Sequence, residues 1–223
     1  MGSLYAKDVI QIAKDWIGYE EGPNNWNIFA DVLDKCGYFA PQEKQNIAWC
    51  AIFCDFCALQ AAIPQDRDNE SKKYDAQYFL YQPSYNNYSA SASLMAGYFK
   101  SNNAFYSSGP QPGDMIFFYS GDNIGHVGIV EEIDGCITTI EGNAGDQVQR
   151  KWYDFDNPRI AGFGRPRYDG FEQAPSASDP NNESSPSPRN ILSRKGYCCR
   201  SSSAPSPRHS GPPTAIRHSG CKV

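Results

Sequence analysis

Cys50, His126 and Glu141 are the residues whose types and order in this chain suit catalysis. They lie in three stretches, IAWCAIFCDFC (47–57), GHVGIVEEI (125–133) and ITTIEGN (137–143). A thiol attacks an amide carbonyl only as thiolate, and an unperturbed pKa of ~8.5 leaves little thiolate at neutral pH. Two devices correct this: the positive end of a helix, and an imidazole within hydrogen-bond reach that also serves as acid for the leaving amine. Asn46 is a candidate N-cap, which would put Cys50 in the first turn of its helix. His126 is the only histidine in residues 1–208, so an imidazole partner within the folded part must be this one. A third group must hold the ring in one tautomer, and Glu141 or Asn143 can do so.

The elements that must position these groups are legible from hydrophobic period. Tyr5, Val9, Ile12, Ala13 and Trp16 recur at helical spacing, so 5–17 reads as an amphipathic helix. A turn-rich stretch (18–25) follows, then a second helix over 27–35 and a polar loop over 40–46. Residues 47–63 are nearly all apolar and stop at Pro64, which predicts a central helix buried on most sides. Residues 65–89 read as an irregular insertion with room for one short helix, and 90–100 as a helix.

After the turn signal SSGPQPGD (107–114) the period changes to short apolar, β-branched runs at 115–119, 127–133, 136–140, 148–153 and 160–163. Asp134–Gly135 is a hairpin signal. Antiparallel pairing across it would bring Glu141 and Asn143 beside the start of the His126 strand, which the Gly125 turn precedes. Helices first and antiparallel strands after predict an α+β fold, with the thiol on the central helix.

Bulk properties narrow the function class. Residues 1–183 hold 13 Lys/Arg and all 25 acids, a net of −12; residues 184–223 hold seven Lys/Arg and no acid. The net charge of −5 argues against nucleic acid as the main partner. The Ser/Pro/Arg-rich stretch from 170 to 223 has too few apolar groups to offset the entropy of ordering it, and is expected to be a disordered tail. It would serve as a basic arm for anionic wall polymers, or as the remnant of a lost domain. No apolar run approaches ~20 residues, so no membrane span is expected. Lys7, Asp8, Lys14 and Asp15 break any signal-peptide core, which implies cytoplasmic synthesis or a non-standard export route. Cys50, Cys54 and Cys57 share one helix face, a poor geometry for disulfides, and Cys54 and Cys57 read as packing.

Four segments in order resemble the CHAP domain, the cysteine, histidine-dependent amidohydrolase/peptidase family of the NlpC/P60-like, papain-like group. AWCAIFCDFC resembles its nucleophile helix, PQPGDMIFF its Pro-Gly-Asp strand entry, HVGIVEEIDG with ITTIEGN its histidine and Glu-x-Asn segments, and AGFGRPRY its closing strand. The likeness covers residues 1–169. It implies a papain-like fold that cleaves amide bonds of bacterial peptidoglycan, as a muramoyl-alanine amidase or a stem or cross-bridge endopeptidase of endolysin type. By position it implies Cys50 as nucleophile, His126 as base, and Glu141 as the group orienting it. Asn143 is then a supporting group or the true third member. The Cys50 N–H is the implied oxyanion donor with Gln45 beside it, and Trp49 the implied cleft lining. Some relatives hold calcium in an Asp-rich loop before the nucleophile. Here FAPQEKQNIAW has one acid, Glu43, so no metal and no other cofactor is expected. The partner implied is peptidoglycan, acted on by a monomer.

Two other classes fit less of the chain. Cys50-x3-Cys54-x2-Cys57 has the spacing of radical-SAM iron–sulfur enzymes, but those resemble barrels of alternating strands and helices. A non-catalytic wall-binding module on a degenerate hydrolase scaffold would not need the thiol, imidazole and acid that this sequence retains.

Overall fold

The computed structural model describes residues 2–63, 65–83 and 90–169. The tail expected from residue 170 onward lies outside the described residues, as do Pro64 and residues 84–89 of the expected insertion. Five helices come first: α1 (Ala6–Asp15), α2 (Ile28–Lys35), α3 (Cys50–Ala61), α4 (Asn69–Phe79) and α5 (Ala92–Ser101). Six strands follow: β1 (Phe105–Tyr106), β2 (Met115–Ser120), β3 (Asn123–Ile133), β4 (Ile137–Glu141), β5 (Gln149–Tyr153) and β6 (Ile160–Gly164). They form one antiparallel sheet in the order β1-β6-β2-β3-β4-β5. The fold is α+β.

The helices begin where their sequences satisfy backbone N–H groups. Asn27 accepts from the Ala30 N–H (2.8 Å), Asp68 from the Ser71 N–H (2.8 Å) and Ser91 from the Leu94 N–H (3.5 Å). The central helix α3 is the exception. Its N-cap is Trp49, with no side-chain cap, and Asn46 instead lies in the left-handed region at φ 62°. The helix is therefore shorter than its apolar run and starts at the thiol itself.

Every residue of α3 except Gln60 is buried. It packs against α1, α2, α4 and the sheet, which is why its sequence lacks an amphipathic period. The insertion expected to be irregular contains an ordered helix of 11 residues, α4. Its polar and tyrosine-rich surface hides the period, while Asp75, Ala76 and Phe79 are buried.

Apolar side chains alternate between two clusters along the strands. Met115, Phe117, Val127, Ile129 and Ile140 join the helical core, whereas Ile116, Phe118, Val130, Ile137 and Phe163 form a second cluster. Period two thus buries both sets. The motif aspartate Asp114 anchors the entry to β2: Arg165 donates to both its oxygens, each at 2.9 Å, and the Gln111 N–H donates at 2.8 Å. The two ends of the fold meet, since the Leu4 N–H donates to the Asp169 carboxylate and the Asp169 N–H to the Leu4 carbonyl, both at 2.8 Å.

Candidate active site

The thiol of Cys50 is the first residue of α3, where free N–H groups and the helix dipole favour negative charge. It is 6 % exposed, at the edge of the buried core. Its position is set from behind by Trp49. That indole is fully buried against Phe29 (5.3 Å between centroids) and Tyr19 (6.0 Å), and its Nε1–H donates to Glu21. Trp49 therefore does not line a cleft wall; it is a core anchor for the backbone beside Cys50. Gln45 is engaged in both directions by Asn27, accepting from its N–H (3.2 Å) and donating to its carbonyl (2.7 Å). These bonds tie the loop before the thiol to the start of α2.

His126 lies inside β3 rather than at its mouth. The β2–β3 ladder continues past it through Ile124 and Asn123, with an irregularity between Phe118 and Tyr119, so Gly125 is a strand residue and not the turn. His126 pairs with Phe118, whose ring lies 5.8 Å from the imidazole. Its side chain keeps 21 % exposure, enough for a substrate to reach it.

The Cys50 thiol lies close enough to the ring to act on its titration. On its other side, imidazole Nε2 lies 2.8 Å from Glu141 Oε2, which leaves Nδ1 for the sulfur. Burial opposes charge on the ring. The hydrogen bonds to Cys50 and Glu141 and their negative charges outweigh it and raise the His126 pKa to about 9. The ring is accordingly an imidazolium at neutral pH.

Glu141 is only 2 % exposed. Burial alone would push its pKa up; hydrogen bonds from His126 and Thr139, the imidazolium charge and the Tyr153 hydroxyl together hold it below the ordinary carboxyl value. Its Oε1 accepts from Thr139 Oγ1 (2.6 Å) and from the Tyr153 hydroxyl (2.8 Å).

Register explains how Glu141 reaches the ring. Ile129 faces Ile140, which sets Glu141 across from Gly128, one pleat from His126. The carboxylate lies over Gly128, where an added Cβ would sit 2.5 Å from Glu141 Cγ. Asn143 follows β4 in the left-handed region at φ 54°, half-buried, and its side chain makes no hydrogen bond among the described residues. Gly142, between them, lets this chain end press onto α3: an added Cβ would meet Phe53 at 2.5 Å and Trp49 at 2.9 Å.

The other helix thiols are spectators. Cys54 and Cys57 are fully buried, and burial pushes both well above the ordinary thiol value. They sit inside a helix of an α+β fold, not on an open loop of an alternating barrel. Cys50, Cys54, Cys57 and Cys136 are free thiols. No helix among the described residues is long and apolar enough to cross a membrane.

Sequence reasoning missed Thr139, Tyr153, Gly128 and Glu21. The first has a signal in hindsight, since residues two apart on a strand share a side of the sheet. The others depend on strand register and on a loop contact that no local pattern encodes.

A helix-borne thiol, an imidazole and a buried carboxylate thus come together at one edge of an α+β scaffold. Comparison with known families gives one result: residues 42–143, a segment holding Cys50, His126, Glu141 and Asn143, match the family model of the CHAP domain. CHAP domains are in general cysteine- and histidine-dependent amidohydrolases or peptidases acting on peptidoglycan. No curated protein and no solved structure matches the chain.

Proposed function

We propose that this protein hydrolyses an amide bond of bacterial peptidoglycan through a Cys50 thioester. The reading rests on one observation above the rest: His126 Nε2 lies 2.8 Å from the buried Glu141 carboxylate, while the Cys50 thiol at the start of α3 is near enough to act on the same ring. In this reaction Cys50 Sγ attacks the amide carbonyl carbon as thiolate. The oxyanion that forms is received at the α3 N-terminus, by the Cys50 N–H. The His126 imidazolium gives its proton to the leaving amine, and the C–N bond breaks to leave a thioester on Cys50. His126, now neutral, takes a proton from water, whose oxygen attacks the thioester and frees the carboxylic acid and the thiol.

Glu141 holds the ring with Nδ1 toward sulfur and offsets the imidazolium charge, as the third member of such a row does. Asn143 borders the same strand end as a supporting polar group. Gln45 acts by fixing the loop that delivers Cys50, through its two bonds to Asn27. The catalytic unit is residues 1–169, consistent with the paired ends at Leu4 and Asp169, and the seven Lys/Arg of 184–223 would attract anionic wall polymers.

The test is digestion of purified peptidoglycan with mass identification of the new termini. New amino groups on L-alanine mark a muramoyl-alanine amidase, and new termini inside the stem or cross-bridge mark an endopeptidase. Cys50→Ala abolishes either product under this reading. Wall lysis that survives Cys50→Ala removes the catalytic assignment and leaves a wall-binding role.

A further inference from the structure

Glu141 poses a problem that the thiol–imidazole pair alone does not solve. A carboxylate 2 % exposed stays ionised only when donors replace its lost water. One oxygen is committed to His126. The other meets two hydroxyls from two different strands, Thr139 on β4 at 2.6 Å and Tyr153 on β5 at 2.8 Å. Two donors on one oxygen fix the rotation of the carboxylate, because any turn that brought Oε1 toward the imidazole would break both.

The tyrosine is itself braced. Its ring packs on Phe118 at 4.7 Å, and Phe118 in turn lies against His126. Orientation of acid and base is thus set by β2, β3, β4 and β5 together.

We propose that Thr139 and Tyr153 are positioning residues, a pair of hydroxyls that clamps Glu141 Oε1 so that Oε2 is held on His126. This deepens the hydrolase reading and rests on it for its catalytic meaning. The groups facing Glu141 are His126 from β3, Thr139 from its own strand, Tyr153 from β5 and, from α3, Cys54, whose thiol feels the carboxylate charge. Arg159 acts on Tyr153 in turn. None of these besides the two hydroxyls donates to Oε1.

Removing either hydroxyl leaves the carboxylate one donor short, so it takes up a proton at higher pH. Once neutral, it no longer stabilises the imidazolium that faces Cys50. The experiment compares Tyr153→Phe, Thr139→Val and Thr139→Ser with the parent. One readout is the rate of Cys50 alkylation by iodoacetamide against pH, followed on the Cys50 peptide by mass spectrometry; the other is peptidoglycan hydrolysis.

The acid limb of both profiles moves up by about one pH unit in Tyr153→Phe and Thr139→Val, the worth of one hydrogen bond to a charged group. Thr139→Ser restores it, and KM stays within about twofold. Rates that fall equally at all pH, in step with a lower Tm and with no shift of the limb, overturn the proposal and leave the hydroxyls a structural role. A shifted alkylation limb in a protein that releases no peptidoglycan fragment keeps the clamp and rejects the hydrolase reading. A parent Cys50 that alkylates as an ordinary thiol rejects both.

Discussion

Replacing Gly128 with alanine adds one methyl group between the proposed acid and base. The new Cβ would stand 2.5 Å from Glu141 Cγ and 3.2 Å from the Ile140 carbonyl oxygen. Carbon atoms in contact sit about 3.5–4.0 Å apart, so the carboxylate must retreat by about 1 Å. The strand backbone cannot move in its place, because Gly128 is paired to Ile116 on one side and β4 runs along the other. A retreat of that size stretches the 2.8 Å contact between His126 and Glu141 beyond hydrogen-bond length.

Two costs follow. Overpacking costs about 1–3 kcal/mol of stability. The lost bond, made to a charged group, is worth about 1.5–3 kcal/mol, which corresponds to about a ten- to hundredfold loss of kcat/KM if the bond is made in the transition state. The His126 pKa, raised to about 9 in the parent, moves down toward the ordinary value, read by NMR titration of its imidazole carbon-bound protons. Gly97→Ala is the control: nothing lies within 4 Å of the added Cβ, and the site is inside α5. It should gain about 0.5–1 kcal/mol and leave the His126 titration alone. Gly128→Ala with an unchanged His126 pKa would refute the idea that this glycine makes room for the acid–base contact.

Three further outcomes follow from the same contacts. His126 has a raised pKa in the folded chain, so its stabilising contribution is complete below about pH 6.5 and is lost as pH rises through about 9. Glu141, held below the ordinary value, adds stability above about pH 4.5 that is lost as pH falls. Chemical denaturation across pH should show both losses, and Glu141→Gln should flatten them. Asp114→Ala leaves the Arg165 guanidinium buried without its bidentate partner and costs about 3–5 kcal/mol by denaturant titration. Trp49→Phe keeps the aromatic packing but strands the Glu21 carboxylate. The expected cost is about 1.5–3 kcal/mol, and the same titration measures it.

Cys50, His126 and Glu141 could be singled out in the sequence because the first opens an apolar run, the second is the only histidine in residues 1–208 and the third closes a short β-branched run. Cys50 opens the apolar run of α3, and Glu141 closes β4 after the Asp134–Gly135 turn. The α+β order was legible for the same reason, since period and turn residues are local. Where local signals misled, longer-range contacts had intervened. Ladder pairing with β2 carried β3 back past His126. Trp49, adjacent to Cys50 and therefore expected in a cleft, was drawn into the core by Phe29 and Tyr19. The helix α4, with its polar tyrosine-rich face, gave no clear period although its inner side is buried.

Sequence alone thus determined which chemical groups this protein has and the order in which helix and strand present them. Tertiary structure decided which of the two candidate third members meets the imidazole. Strand register sets Glu141 across from Gly128, within reach of His126, and turns Asn143 past the end of the strand. It also chose Thr139 and Tyr153 to hold the carboxylate, one residue from its own strand and one from the next. The physical reason is that pairing between strands fixes side-chain neighbours to within one pleat, and a shift of one residue exchanges the whole set.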